Sequence, residues 1–153
     1  MGQSFAVQQL LKQTLFSNRF PEIPTIYDAD ALNIMAESPE WGTYVNNNTI
    51  VTPHPGEMSR LTGLEVTHIN GNRLNVAREN SKKWSKTVIL KGPYSVISSV
   101  DGPVRVSPFI NPVLASAGTG DVLAGMVAGF VAQGLSNFDA ASLGLFVHGS
   151  AGK

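Results

Sequence analysis

Three short β-rich runs, each closing on residues that carry chemistry, constrain this chain more than any other feature. Thr25-Ile26-Tyr27 runs into Asp28, Thr49-Ile50-Val51-Thr52 into Pro53-His54, and Thr87-Val88-Ile89-Leu90 into Lys91-Gly92. Short apolar runs bounded by breakers read as buried strands, and helical patterns separate them. Strands alternating with helices predict an α/β domain with a mostly parallel sheet. In such sheets ligands bind beyond the C-terminal strand ends. Asp28 and Asp30, His54 and Glu57, and Lys91 are therefore expected on one side of the domain.

The remaining segments fit around that frame. Val7, Leu10, Leu11, Thr14 and Leu15 have amphipathic helical spacing, with Ser4 as a candidate N-cap. Ala31 to Ala36 reads as a helical turn, Glu57 to Leu61 as a helix ended by Gly63, and Asn70 to Trp84 as a longer polar helix. Asp101-Gly102-Pro103 sits between Ser95–Val100 and Val104–Val106, predicting an antiparallel edge hairpin. A loop from Pro108 to Pro112, a helix from Val122 to Gln133 stopped by Gly134, and a last helix near Phe138–Gly149 complete the chain.

At 153 residues the chain is long enough for one domain with a real core. A zero net charge and the absence of any basic run give no footprint for nucleic acid. The charged fraction, only 14%, suggests that much of the surface is buried against something else. With no cysteine, disulfides, thiolate catalysis and Cys-based zinc sites are excluded. The cytoplasm is the default compartment for a chain without cysteine, and the start shows no basic segment leading into an apolar one. The apolar stretch Val122–Ala132 is too short to span a membrane, which takes about 20 residues.

Ser116-Ala117-Gly118-Thr119-Gly120-Asp121 leads directly into an apolar helix pattern. Glycines let backbone N–H groups turn toward a ligand, and a helix N-terminus favours an anion. The motif matches neither a Rossmann fingerprint nor a Walker loop. Two readings stand: a helix start capped by Thr119 or Asp121, or an anion hole with Asp121 as a base at its rim. Thr52-Pro53-His54-Pro55-Gly56-Glu57 is a rigid turn; it serves either as a cap built from Thr52 and Glu57 or as a ligand contact through His54. Glu57 could also help hold Mg²⁺ through water beside a phosphate. Lys91-Gly92-Pro93-Tyr94-Ser95 can bring an ammonium and backbone amides to a nucleotide phosphate, or be a plain turn. Asp28 and Asp30 are either paired carboxylates or turn and cap residues. His148 reads as a packed helix histidine, and His68 carries no signal.

Taken in order, Asp28–Asn33, Thr52–Met58, Val88–Gly92, Ala117–Gly125 and the His148-Gly149…Ala151-Gly152 helix resemble the ADP- or ATP-dependent NAD(P)H-hydrate dehydratase family. That resemblance implies a partial, three-layer ribokinase-like α/β fold with the hairpin as its antiparallel edge. It implies dehydration of hydrated NADH and NADPH (NADHX and NADPHX), through phosphorylation of the ring hydroxyl and loss of phosphate. Asp121 would be the base, Gly118, Thr119 and Gly120 the anion hole, and His54 and Asp121 the contacts to hydrated cofactor. Lys91, Gly92, Pro93, Tyr94, Ser95 and Gly120 would bind ADP or ATP with Mg²⁺; Ser95 stands where the family has Thr.

The resemblance also implies a homo-oligomer, often a tetramer, and a fused or separate epimerase for the same damaged cofactor. It places residues 1–153 as the C-terminal part of the family domain, without its upstream half and its last helix. Gly2 would then end an upstream glycine-rich loop. A small-alcohol or vitamin-precursor kinase of the same fold, and a non-catalytic fragment, are the competing readings.

Overall fold

The computed structural model of the chain describes residues 5–15, 23–110 and 118–151. The expectations for Gly2, Ser4, Pro112, Ser116, Ala117 and Gly152 lie outside those residues. The elements run α1 (Phe5–Leu15), β1 (Thr25–Tyr27), α2 (Asp30–Ala36), α3 (Trp41–Tyr44), β2 (Thr49–Val51) and α4 (Pro55–Thr62). They continue as α5 (Val66–Gly71), α6 (Arg73–Trp84), β3 (Thr87–Leu90), β4 (Val96–Ser98), β5 (Arg105–Val106), α7 (Thr119–Ala132) and α8 (Asn137–Ala151).

The three β-rich runs are β1, β2 and β3 of one five-stranded sheet, ordered β1-β2-β3-β4-β5. β1 pairs parallel with β2, in register Thr25↔Thr49 to Tyr27↔Val51, and β2 pairs parallel with β3. β4 and β5 then add antiparallel strands at one edge. Each parallel pair is joined through helices, as parallel connections require. The strand C-termini consequently lie side by side, which places Asp28, Pro53 and Lys91 at one end of the sheet. Lys91 N–H donates to the Pro53 carbonyl oxygen at 2.8 Å there.

Successive strand residues point to opposite faces, and both faces are covered. Val51, Val88, Leu90 and Val96 pack with Leu32, Met35, Met58, Ile69, Val76 and Trp84 on the side of α2, α4, α5 and α6. Ile50, Ile89 and Ile97 pack with Leu123, Val127, Ala140, Ala141 and Leu145 of α7 and α8 on the other. The result is the expected three-layer α/β arrangement. α7 and α8 approach closely at Gly144, where a Cβ would meet Val127 Cγ2 at 2.6 Å.

Two local expectations need correction. The single polar helix over Asn70–Trp84 is two helices, with Asn72 (φ −130°, ψ 32°) outside helical geometry between them. Gly71 and Asn72 are weak helix formers, so the polar pattern alone could not mark the break. α7 begins at Thr119 rather than Val122, with Gly118 (φ 88°) as its N-cap. Thr119 and Asp121 thus lie inside the first turn and neither is the capping residue.

At the opposite end of β3, Lys86 is fully buried. Its Nζ donates to Trp84 O (2.8 Å), Asn47 Oδ1 (2.9 Å) and Gly42 O (3.2 Å). Burial lowers its pKa from 10.5 to about 8. Between those values the unfolded chain binds more protons than the folded one, so stability rises with pH across that window. Tyr27, whose half-buried phenol titrates above its usual value through desolvation, acts in the opposite direction at higher pH. Urea unfolding of wild type and Lys86→Met at several alkaline pH values isolates the lysine by difference. We expect the variant to lose the rise between about pH 8 and 10.5; parallel curves would contradict the assignment.

Candidate active site

β1 ends in Asp28, and the next residue, Ala29, takes φ 52° and ψ −120°. A residue with a Cβ is strained there, and such strain concentrates at functional sites. The turn leaves Asp28 largely buried, with its Oδ1 accepting from Lys91 Nζ at 2.6 Å. Lys91 follows β3, so this ion pair links the ends of two strands separated by β2.

The strand between them contributes Glu57 through a helix cap. His54 is the N-cap of α4; its Nδ1 accepts from Gly56 N–H at 3.0 Å and Glu57 N–H at 3.3 Å. Glu57 Oε2 returns the bond by accepting from His54 N–H at 2.8 Å. Pro55 occupies the first helical position, where its missing N–H costs nothing. The capping expectation for this turn is correct in kind but not in residue: the partner of Glu57 is His54, not Thr52. Thr52 Oγ1 instead donates to the Tyr27 carbonyl oxygen at 3.3 Å.

Because Nδ1 accepts two N–H bonds, the neutral ring carries its proton on Nε2, which lies 3.2 Å from Glu57 Oε1. The imidazole remains half exposed, while Glu57 is buried. Glu57 Oε2 also lies 3.8 Å from Lys91 Nζ. Lys91 is therefore flanked by two carboxylates and held in place at the end of β3. No group of three or more His, Asp or Glu side chains suited to a metal ion occurs among the described residues. Glu57 Oε2 serves the cap and faces Lys91, and Oε1 faces His54.

The N-terminus of α7 closes the cluster. At Gly120 a Cβ would stand 3.2 Å from Asp28 Oδ2 and 3.6 Å from Lys91 Nζ. The glycine is thus what permits the helix start to approach the ion pair. Gly118, Thr119 and Gly120 present the amides of the first turn, and Asp121 is exposed one residue further on. The Asp121 side chain makes no hydrogen bond or ion pair among the described residues, consistent with a group accessible to a ligand.

The Lys91–Ser95 segment is a tight turn joining β3 to β4. Gly92 has φ 139° and Tyr94 φ 51°. The Ser95 hydroxyl donates to Gly92 O at 2.8 Å and lies 3.1 Å from Gly92 N, so it shapes the turn from within. Gly92, Pro93 and Tyr94 are exposed. His148 is buried in α8 and His68 is exposed on α5, neither in this cluster. Asp28 is the residue whose part in the site sequence reasoning undervalued; its signal was an acid directly after a buried strand.

A strand-end cluster of this kind, beneath a glycine-rich helix start in a three-layer α/β sheet, sits where α/β folds bind small ligands. Comparison with known proteins makes the assignment specific. A family model described as NAD(P)H-hydrate dehydratase matches residues 1–153, and the chain belongs to that family. It is 43% identical over 131 residues to the bifunctional NAD(P)H-hydrate repair enzyme Nnr of Moorella thermoacetica, covering 86% of this chain and 25% of that protein. The structure is similar to the ADP/ATP-dependent NAD(P)H-hydrate dehydratase of Bacillus subtilis co-crystallized with ATP/Mg²⁺ and soaked with CoA. That match has a TM-score of 0.64 and 35% identity, over 67% of this chain and 38% of the other. A ribokinase-like superfamily protein of Enterococcus faecalis gives a TM-score of 0.81 at 25% identity, over 98% of this chain and 51% of that one. The chain therefore spans between a quarter and about half the length of these relatives.

Gly120→Ala tests the close approach. The added methyl would press on Asp28 and touch Lys91, while helix propensity favours alanine. The full-length protein should keep its thermal midpoint to within a few degrees and lose roughly 100-fold in kcat/KM, the scale of a small misplacement at a reacting centre. Unchanged turnover would show that the approach of α7 to the ion pair is not needed.

Proposed function

We propose that the protein carrying this chain dehydrates hydrated NADH and NADPH, using ADP or ATP as phosphoryl donor. The observation that carries the reading is the convergence of Asp28, Lys91 and Gly120 beside Asp121, in a chain matched along residues 1–153 by the dehydratase family. The name of the Bacillus subtilis relative supports ADP or ATP as co-substrate.

In this reading the donor's terminal phosphoryl group lies against the amides of Gly118, Thr119 and Gly120. Phosphoryl transfer depends chiefly on positioning and electrostatic stabilisation. A helix start and the Lys91 ammonium supply both without protein reorganisation. Asp121 accepts the proton of the ring hydroxyl as its oxygen attacks phosphorus, and the bond to the departing nucleotide breaks. The carbon–oxygen bond of the phosphorylated ring then breaks, phosphate leaves, and loss of a ring proton restores the double bond. His54, half exposed and with its Nδ1 tied to the helix start, offers Nε2–H to the hydrated cofactor. Gly92, Pro93, Tyr94 and Ser95 form the nucleotide turn together with Lys91 and Gly120. Mg²⁺ would arrive on the nucleotide phosphates with water as its other ligands, a usual mode for this ion.

The bifunctional relative fits a dehydratase working beside an epimerase for the same damaged cofactor, whether fused or separate. A homo-oligomer, as a tetramer, and a cytoplasmic setting belong to the same reading. Among the described residues no helix is long and apolar enough to cross a membrane.

The test supplies full-length protein with hydrated NADH, ADP or ATP, and Mg²⁺, and follows return of the reduced-nicotinamide absorbance. Recovery is expected, and Asp121→Asn should lower kcat by about 10²- to 10⁴-fold, the range of general-base catalysis, with little change in nucleotide KM. No recovery by wild type would overturn the reading; a stable phosphorylated product would point to a kinase instead.

A further inference from the structure

Arg73 lies outside the cluster around Lys91, yet its placement is costly for a cation. It is the first residue of α6, where the helix dipole disfavours positive charge. Its guanidinium is partly buried, and desolvation lowers its pKa from the ordinary arginine value. Nη1 reaches Asn70 Oδ1 at only 3.5 Å, and the buried Nε has no hydrogen-bond partner. Among the described residues no carboxylate forms an ion pair with it. The half-buried charge is met by neutral oxygens rather than by a carboxylate.

Its contacts suggest the reason. Nη2 donates to two consecutive carbonyl oxygens, Leu90 O at 2.8 Å and Lys91 O at 3.0 Å. These are the last residue of β3 and the first of the turn that follows. The next residue, Gly92, has φ 139°, and a Cβ there would stand 3.1 Å from both Nη1 and Nη2. The guanidinium thus lies directly against the backbone of the turn.

We infer that Arg73 is a positioning residue for nucleotide binding. It fixes the carbonyls of Leu90 and Lys91 and so holds the Lys91–Ser95 turn in the shape that receives the nucleotide. The nucleotide phosphates supply the counter-charge that the described residues do not. This inference rests on the nucleotide-dependent reading above and assigns that reading a residue from a helix outside the strand-end cluster.

Calorimetric titration of the full-length protein with ADP and with ATP tests it, comparing wild type, R73K and R73Q. Steady-state KM values for nucleotide and for hydrated NADH are measured in parallel. A lysine keeps the charge but not the planar fork, so both variants should weaken the nucleotide Kd by about tenfold or more. Nucleotide KM should rise with it, while KM for the hydrated cofactor stays unchanged. R73K retains the charge and much of the stem, and serves if R73Q fails to fold. Nucleotide binding by R73K equal to wild type, or a lowered thermal midpoint with unchanged Kd, would overturn the inference. Wild-type protein that binds neither ADP nor ATP would overturn the underlying reading and this inference together.

Discussion

The ion pair between Lys91 and Asp28 is the contact on which the site depends. Its 2.6 Å separation spans the ends of β1 and β3 across β2. The pair is largely buried, and close anionic partners offset the hydration that an ammonium gives up on burial. Asp28 supplies one, and Glu57, held by the His54 cap, supplies a second at 3.8 Å. The parallel register of β1, β2 and β3 sets the distance between the strand ends, and the turn at Ala29 places Asp28 between its own strand and Lys91. Fold and site are thus linked through backbone pairing rather than through a separately built pocket.

The same economy appears in the use of each side chain. His54 caps α4 with Nδ1, orients Nε2 and leaves one ring surface exposed. Glu57 completes the cap and faces Lys91. Ser95 shapes the turn whose backbone is exposed beside it. Capping and ligand binding, which compete as interpretations of a short motif, are compatible in the folded chain. A carboxylate or imidazole rigidified by a helix start is better placed to act on a ligand than one free to rotate.

Much of this was legible in the residues. The three buried runs, the turn chemistry of Asp101-Gly102 and the stop at Gly134 determined the architecture, because short apolar strands between helices have few alternative packings. Placing Asp28, His54, Glu57 and Lys91 at one sheet end followed from strand direction alone. What was not legible depended on contacts distant in sequence. The reach of Arg73 to the Leu90 and Lys91 carbonyls spans 17 and 18 positions, and nothing in a polar helix pattern marks it. The break at Asn72 was hidden because neighbouring polar residues suit either one helix or two. The identity of the α4 cap was missed because histidine is not among the preferred capping residues, although its spacing to Glu57 matches a capping box.

The central claim is that the Asp28–Lys91 pair and the start of α7 together form the phosphoryl-binding centre. Its most direct test is a crystal structure of the full-length protein with ATP bound. The account predicts the terminal phosphates against the amides of Gly118 to Gly120, with Lys91 at their side and Asp121 facing the position of phosphoryl transfer. Phosphates bound away from the α7 N-terminus, with Lys91 and Asp121 turned from them, would contradict it.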